Sequence, residues 1–160
     1  MIPSHEWILL MEDSPDDAFL LERAFRRAGV PNPLHVVQDG ERALEYLEGR
    51  GPYADRGTWP LPVLALLDLR LPRCSGLEVL ERVRTRPGLK RLPIVVLTSA
   101  CEPADVARAY DLGANSLLLK PMGSDALQKM VTQIAAWWLE HNERADLGAA
   151  RTPDLHPSAA

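Results

Sequence analysis

The chain has 160 residues, room for one compact domain at ~150 residues per domain and little more. Hydrophobic residues make up 46% and charged residues 25%, an ordinary globular balance that excludes disorder or a coiled coil as a reading of the whole. A formal net charge of -4, a pI near 5.6 and the lack of any Lys/Arg-rich run argue against a nucleic-acid partner, which needs a basic footprint.

The apolar runs fall far short of the ~20 residues of a membrane span, and Met1 to Trp7 lacks a charged segment followed by an apolar one. The expected location is the cytoplasm, with no membrane partner. Cys74 and Cys101 are far apart and the histidines, His5, His35, His141 and His156, are scattered, so neither a disulfide framework nor a zinc site is implied.

Trp7 to Met11 reads as a buried strand, stopped by Glu12, Asp13, Ser14 and Pro15. Ser14 caps the helix that follows, with Asp17 as a capping-box variant; Ala18, Leu21, Phe25 and Ala28 share one face before Gly29. Leu34 to Val37 is a shorter strand. Asp39 caps a helix with Ala43, Leu44 and Leu47 on its apolar face, and residues 49–62 form a Gly/Pro-rich loop of unusual length.

Val63 to Leu67 is a continuous apolar run ending at Asp68, the pattern of a central parallel strand buried on both faces. Leu77, Val79, Leu80 and Val83 mark the next helix, and Ile94 to Leu97 a fourth strand ending at Thr98. A fourth helix, started by Pro103 and stopped by Gly113, carries Val106, Ala109, Tyr110 and Leu112. Leu117 to Leu119 is a fifth strand running into Lys120 and Pro121. The last helix spans about Ser124 to His141, with Leu127, Met130, Val131, Ile134 and Trp138 facing inward. Periodicity is then lost, which sets the expected domain at residues 1–143 and a disordered or partner-ordered tail at 144–160.

Five strands alternating with five helices imply a doubly wound α/β domain with a parallel sheet and right-handed crossovers. In such sheets functional residues collect beyond the carboxyl ends of the strands. That rule selects Glu12, Asp13, Asp68, Thr98 and Lys120. Carboxylates crowded in a crevice repel one another, so a cation is needed to keep them ionised, and hard oxygen ligands with room for waters suit Mg2+. Lysines are scarce, only Lys90, Lys120 and Lys129, yet one of them ends an apolar strand. An ammonium beside a metal site and a hydroxyl suits an anionic phosphoryl group, and a carboxylate can itself be the nucleophile that takes it.

These residues lie in "LLMEDSPDD", "LLDLRLPRCSG", "IVVLTSA" and "GANSLLLKP", and in that order the sequence resembles the receiver domain of two-component response regulators over about Trp7 to Glu140. The long loop, "YDLGANS" and the terminal "WWLE" resemble, more narrowly, the stand-alone receivers that partner bacterial phytochrome-type sensor kinases. The resemblance implies a flavodoxin-like sheet of strand order 2-1-3-4-5. It also makes Asp68 the phosphoacceptor, Asp13 a direct Mg2+ ligand, Glu12 the holder of a metal-bound water, and the Arg70 main-chain carbonyl a further ligand. Lys120 would pair with phosphoryl oxygens and Thr98 would hydrogen-bond one as the switch residue. The Lys120–Pro121 bond would be cis.

The chain departs from the family at Leu117, where an aromatic residue is usual, and carries Arg70 two residues after Asp68. A dehalogenase-type phosphatase would want an acid at Arg70's place, and an FMN protein would not put Glu12, Asp13, Asp16 and Asp17 in its phosphate loop. The expectation is therefore a signalling phosphoacceptor rather than an enzyme. A sensor histidine kinase would be its donor, and output would pass by protein contact through the last two helices and last strand, where Trp137 and Trp138 are adjacent, with a homodimer as the preferred partner. A receiver-fold binding module that works without phosphorylation is the alternative.

Overall fold

The computed structural model describes residues 6–148. Five parallel strands, β1 (Ile8–Met11), β2 (Leu34–Val37), β3 (Leu64–Leu67), β4 (Ile94–Thr98) and β5 (Ser116–Leu119), pair in the order β2-β1-β3-β4-β5. They alternate with α1 (Pro15–Arg27), α2 (Gly40–Glu48), α3 (Gly76–Arg84), α4 (Pro103–Asp111) and α5 (Ser124–Ala135). The doubly wound α/β class is the one the alternation of strands and helices implies, and the strand order is the one the receiver-domain resemblance implies.

Alternation along the central strands sends successive side chains to opposite faces, and each face is covered by helices. Leu9, Met11, Ala65, Leu67, Ile94 and Val96 pack with α2, α3 and α4. Ile8, Leu10, Leu64, Leu66, Val95 and Leu97 pack with α1 and α5. Every residue of β1, β3 and β4 is buried, which explains their uninterrupted apolar sequences. Full burial contributes roughly 1.5–3 kcal/mol for each such aliphatic side chain.

Pairing sets the functional end of the sheet. Met11 lies in register with both Val37 and Leu67, so Glu12 and Asp68 emerge side by side. The ladder continues one residue past the strands. Glu12 N–H donates to Val37 O at 3.0 Å, Asp68 N–H to Met11 O at 3.0 Å and Lys120 N–H to Thr98 O at 2.8 Å. Among the described residues every peptide bond is trans, which corrects the cis bond expected at Lys120–Pro121. Lys120 is oriented by its bond to the end of β4.

The long loop has its own small core. A 3-10 turn at Gly51–Tyr53 is followed by Arg56, whose guanidinium donates to Tyr46 O (2.7 Å), Leu47 O (2.8 Å) and Trp59 O (3.1 Å), satisfying carbonyls at the end of α2. Tyr46, Tyr53, Trp59 and His35 pack together, with His35 stacked on Tyr46 at 5.1 Å between ring centroids. Burial holds the His35 imidazole below its ordinary pKa.

After Ala135 the last helix continues as a π-helical turn over Ala136–His141. Trp138 packs half-buried on the α1/α5 core, and Trp137 is 64% exposed. Part of the expected tail lies against the domain: Arg144 makes a two-pronged ion pair with Glu6 at 2.7 Å, and Asp146 O accepts from Arg91 at 3.0 Å. The remainder of that tail, 149–160, lies outside the described residues.

Candidate functional site

Asp68 stands at the centre of the carboxyl edge, with its side chain 8% exposed. Its Oδ1 accepts the Arg70 N–H at 2.9 Å and faces the Thr98 hydroxyl at 3.3 Å, and its Oδ2 accepts from Lys120 Nζ at 3.0 Å. The Thr98 hydroxyl is equally 3.3 Å from Ala100 O, so its single proton has two acceptors, one in the site and one in the loop leading to α4.

The turn after Asp68 is held close to the chain that follows. Gly76, at the start of α3, donates to Leu69 O at 2.9 Å, and a Cβ there would lie 2.3 Å from Asp68 O. Only glycine fits that approach. Ser75 and Glu78 form a reciprocal capping box that fixes the start of α3 behind the turn.

Glu12 is 2% exposed and Asp13 is exposed. One carboxylate oxygen from each of Glu12, Asp13 and Asp68 lies within 4.8 Å of the others. Burial pushes the Glu12 carboxyl up to about 7, with the Lys120 ammonium pulling against that rise and the Asp68 charge adding to it. Lys120 contacts Glu12, Asp68 and, at 3.2 Å, Asp17. Its own burial would lower its pKa, but the bonds to Glu12 and Asp68 outweigh that, and it stays raised and charged.

A divalent cation fits this donor set. Three hard carboxylates converge, one of them almost wholly withdrawn from water, and a single ammonium is shared among the acids. The structure thus brings together Glu12, Asp13, Asp68, Thr98 and Lys120, with the Arg70 backbone against Asp68. Asp17 was not singled out as a site residue. Read as the capping-box partner of Ser14, its N–H does donate to Ser14 Oγ (3.3 Å), but the Ser14 N–H donates to Glu12 Oε1 (3.1 Å), and the Asp17 carboxylate turns to Lys120. Its place one helical turn after Asp13 was the available signal.

Leu117 is half-buried among core residues, and its N–H donates to the Tyr110 hydroxyl at 3.1 Å. The aromatic ring beside β5 is thus supplied from α4.

Comparisons with known proteins agree with this geometry. Residues 8–132 match the model of the response regulator receiver domain. Response regulator Rcp1 of Synechocystis is 39% identical over 133 residues, covering 83% of this chain and 88% of Rcp1. The probable methanogenesis regulatory protein FilR2 of Methanothrix harundinacea is 39% identical over 135 residues, 84% of each chain. Among solved structures, the phosphorylated cyanobacterial phytochrome response regulator RcpA superposes with a TM-score of 0.82 at 35% identity, covering 89% of this chain and 99% of RcpA. The Mn2+-bound form of Rcp1 gives 0.78 at 37% identity, covering 88% and 99%. An aspartate between a lysine and a threonine at the carboxyl edge of a 2-1-3-4-5 sheet, an acid pair beside it and this match along most of the chain have one explanation: the chain belongs to the response regulator receiver domain family.

Proposed function

We propose that the protein is a response regulator that accepts a phosphoryl group on Asp68 from the phosphohistidine of a sensor histidine kinase, with Mg2+ bound, and passes the signal on by protein contact. The observation that carries this reading is the carboxylate of Asp68 held between Lys120 at 3.0 Å and Thr98 at 3.3 Å beside the acid pair.

Glu12, Asp13, Asp68 and the Arg70 main-chain carbonyl would hold the metal. Bound Mg2+ supplies positive charge against the phosphoryl oxygens and lets the carboxylate approach them. The donor brings an activated group, so the bond from an Asp68 oxygen to phosphorus forms as the donor's N–P bond breaks, and no general base is asked of this chain. Lys120 neutralises charge on the transferred group. Thr98 can exchange its contact with Asp68 for one with a phosphoryl oxygen, drawing on the loop whose Ala100 carbonyl it also faces.

Support for a phytochrome-type kinase as partner comes from the likeness, along 89% of this chain, to the cyanobacterial phytochrome response regulator RcpA. Exposed Leu20 lies beside the loop after Lys120, where Met122 is 96% exposed, an apolar rim for a donor protein. For output, Tyr110, Leu119 and Trp137 are exposed on α4, β5 and the turn after α5, a surface for a second copy in a two-fold dimer. The cytoplasm is the matching location; no helix of the described residues is long and apolar enough to cross a membrane.

The test is incubation with a small-molecule acyl phosphate, with and without Mg2+, read by intact mass. Incorporation of one phosphoryl group that needs Mg2+ and disappears in Asp68→Asn supports the reading. Incorporation at the wild-type level in Asp68→Asn refutes it.

A further inference from the structure

Two groups of carboxylates overlap at the site without coinciding. The set able to converge on a cation is Glu12, Asp13 and Asp68, whereas the set that Lys120 contacts is Glu12, Asp17 and Asp68. Glu12 and Asp68 are common to both. Asp13 belongs to the cation alone and Asp17 to the lysine alone. A cation that takes up oxygens of Glu12 and Asp68 therefore competes with Lys120 for two of its three acceptors, and a buried ammonium deprived of acceptors is costly.

We infer that Asp17 is a positioning residue that keeps Lys120 paired and aimed at Asp68 when a divalent cation occupies the other carboxylates. This rests on the metal-dependent reading above and assigns a role to a residue outside its ligand set. Asp17 is placed for it by local structure. It sits in the first turn of α1, where the helix dipole favours a carboxylate, and its backbone N–H is tied to Ser14 Oγ, so its position is set by the helix and not by the lysine. Its side chain is 37% exposed against 9% for Lys120, so it can stay ionised on the water side while the ammonium remains within the site. Without Asp17, cation binding strands the ammonium beside a second positive charge, and affinity for the cation drops.

The coupling is measured with Mg2+ alone as the probe, by calorimetric titration of wild type, Asp17→Asn, Asp17→Glu, Lys120→Met and the Asp17→Asn/Lys120→Met double variant. Asp17→Asn weakens Mg2+ binding about fivefold, the scale of a partly exposed ion pair, and Asp17→Glu stays within about twofold of wild type. In the Lys120→Met background the same Asp17→Asn change shifts affinity less than about twofold, because no ammonium is left to hold. An equal loss in both backgrounds marks a plain charge effect and overturns the inference while leaving the metal-dependent reading intact. Absence of Mg2+ binding to the wild type overturns both.

A second readout does not need the lysine variant to fold. In 15N NMR of the Mg2+-loaded protein, the Lys120 ammonium signal is protected in wild type and lost to exchange in Asp17→Asn. An unchanged signal in Asp17→Asn overturns the inference.

Discussion

Replacing Lys120 with methionine removes the ammonium that contacts three acids whose side chains are 2% (Glu12), 8% (Asp68) and 37% (Asp17) exposed. Breaking a buried charge network by removing one partner costs about 3–5 kcal/mol, because the remaining charges lose compensation that water cannot supply. At roughly 2–4 °C per kcal/mol for a chain of this size, the metal-free variant should melt about 10 °C below wild type near pH 8. The pH dependence has a definite sign. The Glu12 carboxyl is raised to about 7 in the fold against 4.5 ordinarily, so between those values the native state holds more protons than the unfolded chain. Stability from this group therefore falls as pH rises through that window, and the fall should steepen once Lys120 is gone. Mg2+ should stabilise the variant more than the wild type, since it no longer competes with an ammonium; each tenfold excess over its Kd adds about 1.4 kcal/mol. The assay is thermal unfolding at two pH values with and without Mg2+. A variant that melts with the wild type in metal-free buffer at high pH would refute the account of Lys120 as the charge that holds the acids together.

Three further outcomes follow from other parts of the molecule. Arg56→Met removes three carbonyl contacts and should cost about 2–3 kcal/mol, with faster hydrogen exchange confined to residues 49–62; exchange spread evenly over the domain would contradict a local loop core. Burial lowers the His35 pKa from 6.5, so the unfolded chain binds more protons just below that value and stability is lost as pH falls; His35→Phe should flatten the acid limb of the stability curve, and parallel curves would count against it. With Leu117 in place of a mobile ring, phosphorylation should alter hydrogen exchange mainly over residues 99–103 and the start of α4, and Leu117→Tyr should enlarge that response; equal responses in the two proteins would refute this link.

The sheet was readable because β1, β3 and β4 are buried on both faces, which leaves them no polar positions to confuse the pattern. Helix starts were readable where a side chain caps them, as Asp39 does for Arg42 N–H at 2.8 Å. The site followed from one rule about strand ends, which found Glu12, Asp13, Asp68, Thr98 and Lys120 but could not find Asp17, since a first-turn aspartate has an equally good local use as a cap. The loop at 49–62 read only as a long Gly/Pro-rich connection because its order depends on Arg56 reaching back to α2, a contact with no periodic signature. For the same reason nothing in the sequence marked Arg84, whose guanidinium joins Gly113 O, Leu92 O and Asn115 Oδ1 and so ties α3 to the start of β4 and the turn before β5.

The claim on which the account turns is the identity of the acceptor. Acyl phosphates are reduced by borohydride, which converts a phosphorylated aspartate to homoserine and leaves other residues unchanged. After treatment with an acyl phosphate and Mg2+, borohydride trapping and peptide mass mapping should find homoserine at position 68 and none when Mg2+ is chelated. A phosphoryl group mapped to any residue other than Asp68, or the same yield without Mg2+, would contradict it.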